Sequence, residues 1–184
     1  MASHNHELTL LKFKVDSQEA DLFALLGDLA ERAPLNRNGG GDVEFEAGGL
    51  RVSCEIKTWP DLVTSFCTKE GKESKLTRQL RAVMRADVAA LIIVGDFGAS
   101  FGVNSQGYLL RYEGKKVKPL RVKFTSLAGY LRDFEHARPT NHIWHVPSLP
   151  VLADLLIAVR GWYQKKRHPG IERFSIAKDE YKNV

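Results

Sequence analysis

Three acidic residues and one lysine occupy comparable places in predicted strands. Asp16 ends the first predicted strand, Asp42 opens a predicted hairpin, and Glu55 and Lys57 lie in the second strand of that hairpin. Because side chains alternate along a strand, Glu55 and Lys57 are predicted to face the same side, about 6.6 Å apart at about 3.3 Å per residue. Burying an acid and a lysine is costly without partners, and a divalent cation is a partner that carboxylates accept.

Carboxylates beside a lysine are groups that phosphodiester hydrolysis can use. A bound metal activates water and offsets the negative charge that builds on the phosphoryl oxygens, and a lysine orients or deprotonates that water. The alternative is a cross-strand salt-bridge face, which the Glu-Ile-Lys triplet alone favours. The surrounding sequence favours the catalytic interpretation, because Asp42 precedes the triplet, Asp61 follows it, and a basic helix comes next.

The elements predicted to position these residues alternate between strands and helices. The predicted hairpin has strands at 42–46 and 50–58, and 98–114 is predicted to be a loop or a small hairpin. The other predicted elements are a strand at 8–16, helices at 17–33 and 73–85, a buried strand at 87–97, a helix at 124–137, a strand at 141–146 and a helix at 149–166. This order predicts an α/β fold, a three-layer α/β/α sandwich with a central mixed sheet.

Composition and charge place the chain among ordinary globular proteins. Its 184 residues, 43% hydrophobic and 27% charged, fit one domain at 8–166 between a flexible start at 1–7 and a basic tail at 167–184. The longest apolar run, Val88 to Val94, is too short to span a bilayer, and no signal peptide is evident at the N-terminus. Two cysteines favour a reduced, cytoplasmic setting over a secreted one, and the net charge of +5 is compatible with nucleic-acid binding.

Several motifs in order resemble those of the XPF-type structure-specific endonucleases, which belong to the restriction-endonuclease-like PD-(D/E)XK superfamily. Gly41-Asp42 followed by Glu55 to Asp61 resembles the signature GD…ERKxxxD of that family. Three further matches are Val15 to Glu19, Asp61 to Phe66 and Ser74 to Leu80, and 91–97 is similar to the buried strand of the family. The resemblance extends from about Leu8 to Lys166, with Ile56 and Gln18 standing where the family has arginines.

The resemblance implies roles for individual residues. Asp16, Asp42 and Glu55 would hold Mg²⁺, for which Mn²⁺ could substitute, and Lys57 would be the catalytic lysine. Glu19, Asp61 and Gln79 would support the site from its edge. The implied activity is metal-dependent cleavage of branched DNA, such as a flap, fork or junction, by a homodimer or heterodimer formed through the nuclease domain. Such an enzyme would act at the nucleoid or in the nucleus, and not at a membrane.

Basic residues beyond the motif supply candidate DNA contacts. Lys69, Lys72, Lys75, Arg78 and Arg81 could follow phosphates, or they could form a solvated helix face. Trp59 could stack on a base or sugar, or it could pack in the core. Two functional alternatives stay open: a catalytically silent DNA-binding or scaffold subunit of the same fold, and a restriction-like or RNA-cleaving nuclease of the same superfamily.

Overall fold

A central six-stranded sheet organises the computed structural model, which describes residues 12–35, 40–67 and 72–165. The strands of the described residues are β1 Phe13–Asp16, β2 Ala30–Ala33, β3 Val43–Ala47, β4 Leu50–Thr58, β5 Val88–Val94, β6 Phe101–Val103, β7 Tyr108–Glu113, β8 Lys116–Lys123 and β9 Asn141–Val146. The central sheet has the order β2-β1-β3-β4-β5-β9, and β6, β7 and β8 form a separate small sheet. The predicted termini at 1–7 and 167–184 lie outside the described residues.

Helices cover both faces of the central sheet. They are α1 Ala20–Leu26, α2 Trp59–Phe66, α3 Lys75–Val83, the short α4 Phe97–Ser100, α5 Phe124–Ala137 and α6 Leu149–Tyr163. One apolar cluster joins α1 and α6 to one face, and a second joins α2, α3 and α5 to the other. The predicted three-layer sandwich is confirmed. None of the helices in the described part of the chain is long and apolar enough to cross a membrane.

The sheet is mixed, as expected. β3 and β4 pair antiparallel as the predicted hairpin, with Gly48 and Gly49 at positive φ in the turn. β4 also pairs with β5 in parallel, and β5 pairs in parallel with β9. β4 is therefore an interior strand, and its odd-numbered residues face one apolar cluster while its even-numbered residues face the other.

The predicted helix at 17–33 is wrong in its extent. α1 ends at Leu26, because Gly27 adopts a positive φ of 53° and the chain turns through a 3-10 segment, Gly27–Leu29. Residues 30–33 then form β2, which pairs in parallel with β1. The sequence Ala-Glu-Arg-Ala has no β-branched residue, so local propensity does not reveal this strand.

The segment predicted as a loop or small hairpin at 98–114 is a larger element. It contains α4 and opens the three-stranded meander β6–β8, which runs to Lys123. Phe101 and Leu109 anchor the meander in the apolar cluster beneath α2, α3 and α5. The helix α2 is a further element that the sequence patterns do not predict, although Thr58 caps it by accepting a hydrogen bond from the Asp61 amide and Pro60 stands in its first turn.

Candidate active site

The candidate site forms where β4 meets α2 and α3. Its centre is a polar cleft of about 690 Å³. The cleft is lined by Gln18 and Glu19 ahead of α1, Gly40 and Asp42 ahead of β3, Ile56 and Lys57 of β4, Asp61, Thr64 and Ser65 of α2, and Lys75, Arg78, Gln79 and Ala82 of α3. All six charged members of this set are predicted from the sequence. Thr64 and Ser65, which α2 brings to the cleft, are not.

Glu55 and Lys57 project from the same face of β4, as the alternation of the strand predicts. Glu55 is fully buried and Lys57 is 9% exposed. The Lys57 ammonium donates to Glu55 Oε1 at 2.5 Å and to the Ile56 carbonyl at 3.3 Å. This ion pair fixes the lysine at the wall of the cleft, and the attraction between the two charges repays only part of the cost of burying them.

Glu55 has one carboxylate oxygen without a partner. Gln79 of α3 and Lys57 both donate to Oε1, whereas Glu55 Oε2 is buried and has no hydrogen-bond partner among the described residues. The Gln79 amide oxygen is likewise buried and unpaired in this part of the chain. Two orphaned acceptors at one place are unusual, because buried polar groups are nearly always bonded. They mark the position where a cation or a donor from a ligand would be favoured.

Backbone contacts with β4 hold Asp42 in place. Its carboxylate accepts from the Ile56 amide at 2.7 Å, and its own amide donates to the Cys54 carbonyl at 2.8 Å. Gly41 permits this close approach, since a Cβ there would lie 2.3 Å from the Cys54 carbonyl oxygen and 2.7 Å from Val83 Cγ1. The Gly-Asp pair of the motif therefore has a steric cause in this chain.

Asp16 and Glu19 lie on the β1 side of the cleft. Asp16 is 2% exposed, and its carboxylate accepts from the Gln18 amide at 3.0 Å. Its own amide donates to the Asp42 carbonyl at 2.8 Å, which ties the two acidic residues together through the backbone. Glu19 lines the cleft directly. Both acidic residues thus stand beside Asp42, as their places in the sequence predict.

Burial and mutual repulsion raise the pKa values of two of these carboxyl groups. Burial raises the pKa of Glu55 to about 7, Asp42 adds to the rise, and Lys57 opposes it. The pKa of Glu19 is raised by burial first and then by Asp42, again against the opposing effect of Lys57. Both surroundings therefore favour the neutral form of the carboxyl group more than water does, and a bound cation would oppose this effect.

The helical wall supplies the cations and one further acid. Lys75 and Arg78 of α3 line the cleft, and the charge of Lys75 acts on Glu55. Asp61 stands at the exposed edge, where its carboxylate accepts from the Thr58 hydroxyl at 2.7 Å. Asp61 thus lines the cleft, and its predicted supporting role stays a prediction.

Other predicted DNA-binding residues lie elsewhere. Lys72 and Arg81 are exposed but do not line the cleft, and Arg81 pairs with Glu73. Lys69 lies outside the described residues. Trp59 is 8% exposed and packs edge-on against Phe97 and His145. Its predicted stacking on a base is therefore corrected to core packing, because the indole is enclosed by the second apolar cluster.

The oxygen donors suit Mg²⁺ or Mn²⁺ in their chemistry, although they do not form a closed ligand set. Among the described residues no group of three His, Cys, Asp or Glu side chains is arranged to hold a metal ion. Mg²⁺ is usually bound by only one or two carboxylates together with waters and substrate phosphates. Asp42 and Glu55 fit that requirement, because Glu55 Oε2 lacks a partner and Asp42 disfavours the charged form of Glu55.

Together, the mixed sheet and the helices on both of its faces define an α/β fold that solved structures share. Two solved structures of XPF from Aeropyrum pernix share this fold. The first aligns with a TM-score of 0.54 at 16% identity over 82% of this chain. The second, a complex with DNA, aligns with a TM-score of 0.56 at 16% identity over 85% of this chain. This chain spans 66% of the length of each XPF chain. Sequence comparison finds no matching family model and no matching curated protein.

Proposed function

We propose that the chain is a metal-dependent endonuclease that hydrolyses phosphodiester bonds in branched DNA. The observation that carries the proposal is the buried Glu55–Lys57 pair, with its unpaired Glu55 oxygen, beside Asp42 in an open polar cleft. A scaffold subunit has no need of a buried ion pair that leaves an acceptor unsatisfied, since such groups cost stability. The likeness of the fold to XPF in complex with DNA supports DNA as the substrate class.

Each residue of the cleft would have a defined task. Asp42 and Glu55 would hold Mg²⁺ or Mn²⁺, with Asp16 and Glu19 adding negative charge nearby. When bound, such an ion lowers the pKa of water and offsets charge on the phosphate. Lys57 uses two of its three ammonium donors on Glu55 and Ile56. The third is available to orient the attacking water or to contact a phosphoryl oxygen.

The helical wall would position the substrate. Lys75 and Arg78 would contact phosphates that flank the scissile bond. Asp61 and Gln79 would hold α2 and α3 in place against β4 through their hydrogen bonds to Thr58 and Glu55. Phosphate contacts fix position without reading bases, so the enzyme would recognise DNA shape rather than sequence. Assembly as a homodimer or heterodimer stays a prediction of the resemblance.

A cleavage assay tests the proposal. Labelled flap, fork, junction and linear duplex DNA, with a matched single-stranded RNA, are incubated with Mg²⁺ and the protein. We expect cleavage of at least one branched DNA. Asp42→Ala and Lys57→Ala should lower the rate by about 10²-fold or more, the range for loss of a positioned acid–base or electrostatic group. Lys12→Ala, which removes an exposed lysine outside the cleft, should cut at the wild-type rate.

The outcomes separate the alternatives. Absence of cleavage by folded wild-type protein that still binds branched DNA would favour the scaffold alternative. Equal cutting of linear and branched duplex would favour a restriction-like enzyme, and preference for the RNA would favour an RNA-cleaving one. Full activity of Asp42→Ala or Lys57→Ala would refute the assignment of the cleft.

A further inference from the structure

The net positive charge of the chain is concentrated in the meander β6–β8. Residues 101–123 hold one acid, Glu113, and six cations: Arg111, Lys115, Lys116, Lys118, Arg121 and Lys123. Their net charge of +5 equals that of the whole chain, which has 27 Lys and Arg against 22 Asp and Glu. The remainder of the chain holds 21 of each sign. The meander is therefore the main basic feature of a molecule that is otherwise balanced.

The ribbon β7–β8 is anchored at one end and exposed at the other. Leu109 is fully buried, and Leu120 and Val122 pack against the second apolar cluster. Beyond them, all four residues from Lys116 to Pro119 are exposed. Val117, 57% exposed, pairs with Tyr112, which is 41% exposed. The exposed half of the ribbon thus contributes little to the core, and the pairing of Arg111 with Lys118 places Lys116, Lys118 and Arg111 on the same face of it.

A groove lies between the basic ribbon and α3, the helix that also lines the polar cleft. This groove of about 510 Å³ lies between α2, α3, β8 and α5, and Arg121 of β8 lines it together with Ser74 and Thr77 at the start of α3. The Tyr130 hydroxyl of α5 donates to Thr77 Oγ1 at 2.9 Å and closes the floor of this groove. Lys75 and Arg78 of the same helix line the cleft. Neighbouring residues of α3 therefore line the groove and the cleft, offset by one position, or about 1.5 Å along the helix axis.

We propose that the β7–β8 ribbon binds the phosphate backbone of duplex DNA beside the cleft. The cleft has as many acids as cations along its wall, with Glu55 and Asp16 close by, and so it lacks the positive charge that holds a polyanion. The ribbon supplies that charge. Lys116 to Lys123 span about 23 Å at about 3.3 Å per residue, which matches roughly seven base steps of 3.4 Å. This inference rests on the proposed function, because that function is the reason for choosing DNA as the polyanion.

The test compares two variants that lose the same charge. Lys116→Gln/Lys118→Gln/Arg121→Gln removes three exposed cations of β8, and Lys12→Gln/Arg132→Gln/Lys165→Gln removes three exposed cations from other surfaces. Lys123 is kept, because its ammonium lies over the Tyr108 ring at 5.6 Å. Binding of a labelled DNA duplex is measured by fluorescence anisotropy in EDTA, so that cleavage does not interfere, at several salt concentrations.

We expect the β8 variant to bind DNA about tenfold more weakly at low salt. Its affinity should also depend less on salt. The slope of log affinity against log salt should become shallower by up to about 2.7, since each phosphate contact contributes about 0.9. The matched variant should keep nearly the wild-type slope. Equal loss in both variants would show that net charge alone acts, and unchanged binding by the β8 variant would overturn the proposal. Thermal unfolding should be alike for all three proteins.

Two further outcomes keep this inference separate from the proposed function. DNA binding that depends on β8, without any cleavage, would uphold the ribbon and refute the nuclease. Cleavage with normal affinity in the β8 variant would uphold the nuclease and refute the ribbon. Vesicles rich in phosphatidylserine are assayed in parallel, and β8-dependent binding to them without β8-dependent binding to DNA would assign the basic ribbon to a lipid surface instead.

Discussion

At the scale of single residues, the electrostatics of Glu55 dominate the candidate site. Its carboxyl group is completely buried, it accepts from a lysine and a glutamine on one oxygen, and the other oxygen has no partner among the described residues. Burial and Asp42 together outweigh the lysine, so the pKa of Glu55 rises to about 7. Between about pH 4.5 and pH 7, the folded protein therefore keeps a proton on Glu55 that the unfolded chain has released.

This difference predicts how stability depends on pH. Between about pH 4.5 and 7 the folded state binds more protons than the unfolded state, so the free energy of unfolding falls as pH rises. In EDTA at pH 8, Glu55→Gln should be more stable than wild type by about 1–3 kcal/mol, since one pKa unit corresponds to about 1.4 kcal/mol. At pH 4 the two proteins should be alike in urea unfolding.

Two controls sharpen that prediction. Glu46→Gln, at an exposed position of β3, should change the stability by less than about 0.5 kcal/mol at either pH. Added Mg²⁺ should raise the melting temperature of wild type but not that of Glu55→Gln, because the variant loses one of the two proposed Mg²⁺ ligands. A Glu55→Gln protein that is less stable than wild type at pH 8 would mean that the ion pair with Lys57 is net stabilising.

At the scale of elements, a single glycine lets β3 approach β4. Gly41 has no room for a Cβ against the Cys54 carbonyl, and the next residue is anchored to the Ile56 amide. The position of Asp42 in the cleft thus depends on a backbone contact between two strands. Side-chain substitutions nearby would leave that contact in place, whereas a methyl group at residue 41 would not.

Gly41→Ala should therefore damage both stability and activity. Forcing a methyl group against backbone costs about 1–3 kcal/mol, as for other overpacked sites, and the shift of Asp42 should reduce cleavage together with Mg²⁺ affinity. Gly129→Ala is the matched control, because residue 129 lies in α5 and a Cβ there would have no neighbour within 4 Å. It should be neutral or stabilising by up to about 1 kcal/mol. Wild-type stability of Gly41→Ala in thermal unfolding would contradict the steric account.

Sequence periodicity predicted some of these features correctly and did not predict others. Alternation correctly predicted that Glu55 and Lys57 share a face, because strand geometry is local. The bond from the Ile56 amide to Asp42 joins positions 14 residues apart, and no local pattern reports it. The burial of Trp59 depends on the distant Phe97 and His145 in the same way. The meander was predicted only as a loop or a small hairpin, because its glycines and polar residues are typical of loops.

At the scale of the whole molecule, both apolar clusters share the central sheet. The cleft lies on the face covered by α2 and α3, whereas Leu152 of α6 is fully buried on the opposite face. β4 and β5 contribute residues to both faces of the sheet, so the two faces should unfold together. Packing of α6 on one face of the sheet then helps to keep the site on the other face folded.

Leu152→Ala tests this coupling. The lost burial and the remaining cavity should lower the free energy of unfolding by about 2–5 kcal/mol. Tryptophan fluorescence and far-ultraviolet circular dichroism should still give one coincident transition. DNA binding should be unchanged at temperatures where the variant is folded. Leu25→Ala, at a 45% exposed position of α1, should cost much less. Two separate transitions would show that the faces are independent folding units.

The edge position of β8 has a consequence for self-association. An unpaired strand edge is a template for adding further strands, and lysines and proline on the edge discourage this. β8 carries Lys116 and Lys118, with Pro119 beside them. Phosphates that neutralise these lysines would also remove their mutual repulsion between molecules. On DNA, Pro119 would then be the main remaining barrier to edge-to-edge aggregation of neighbouring copies.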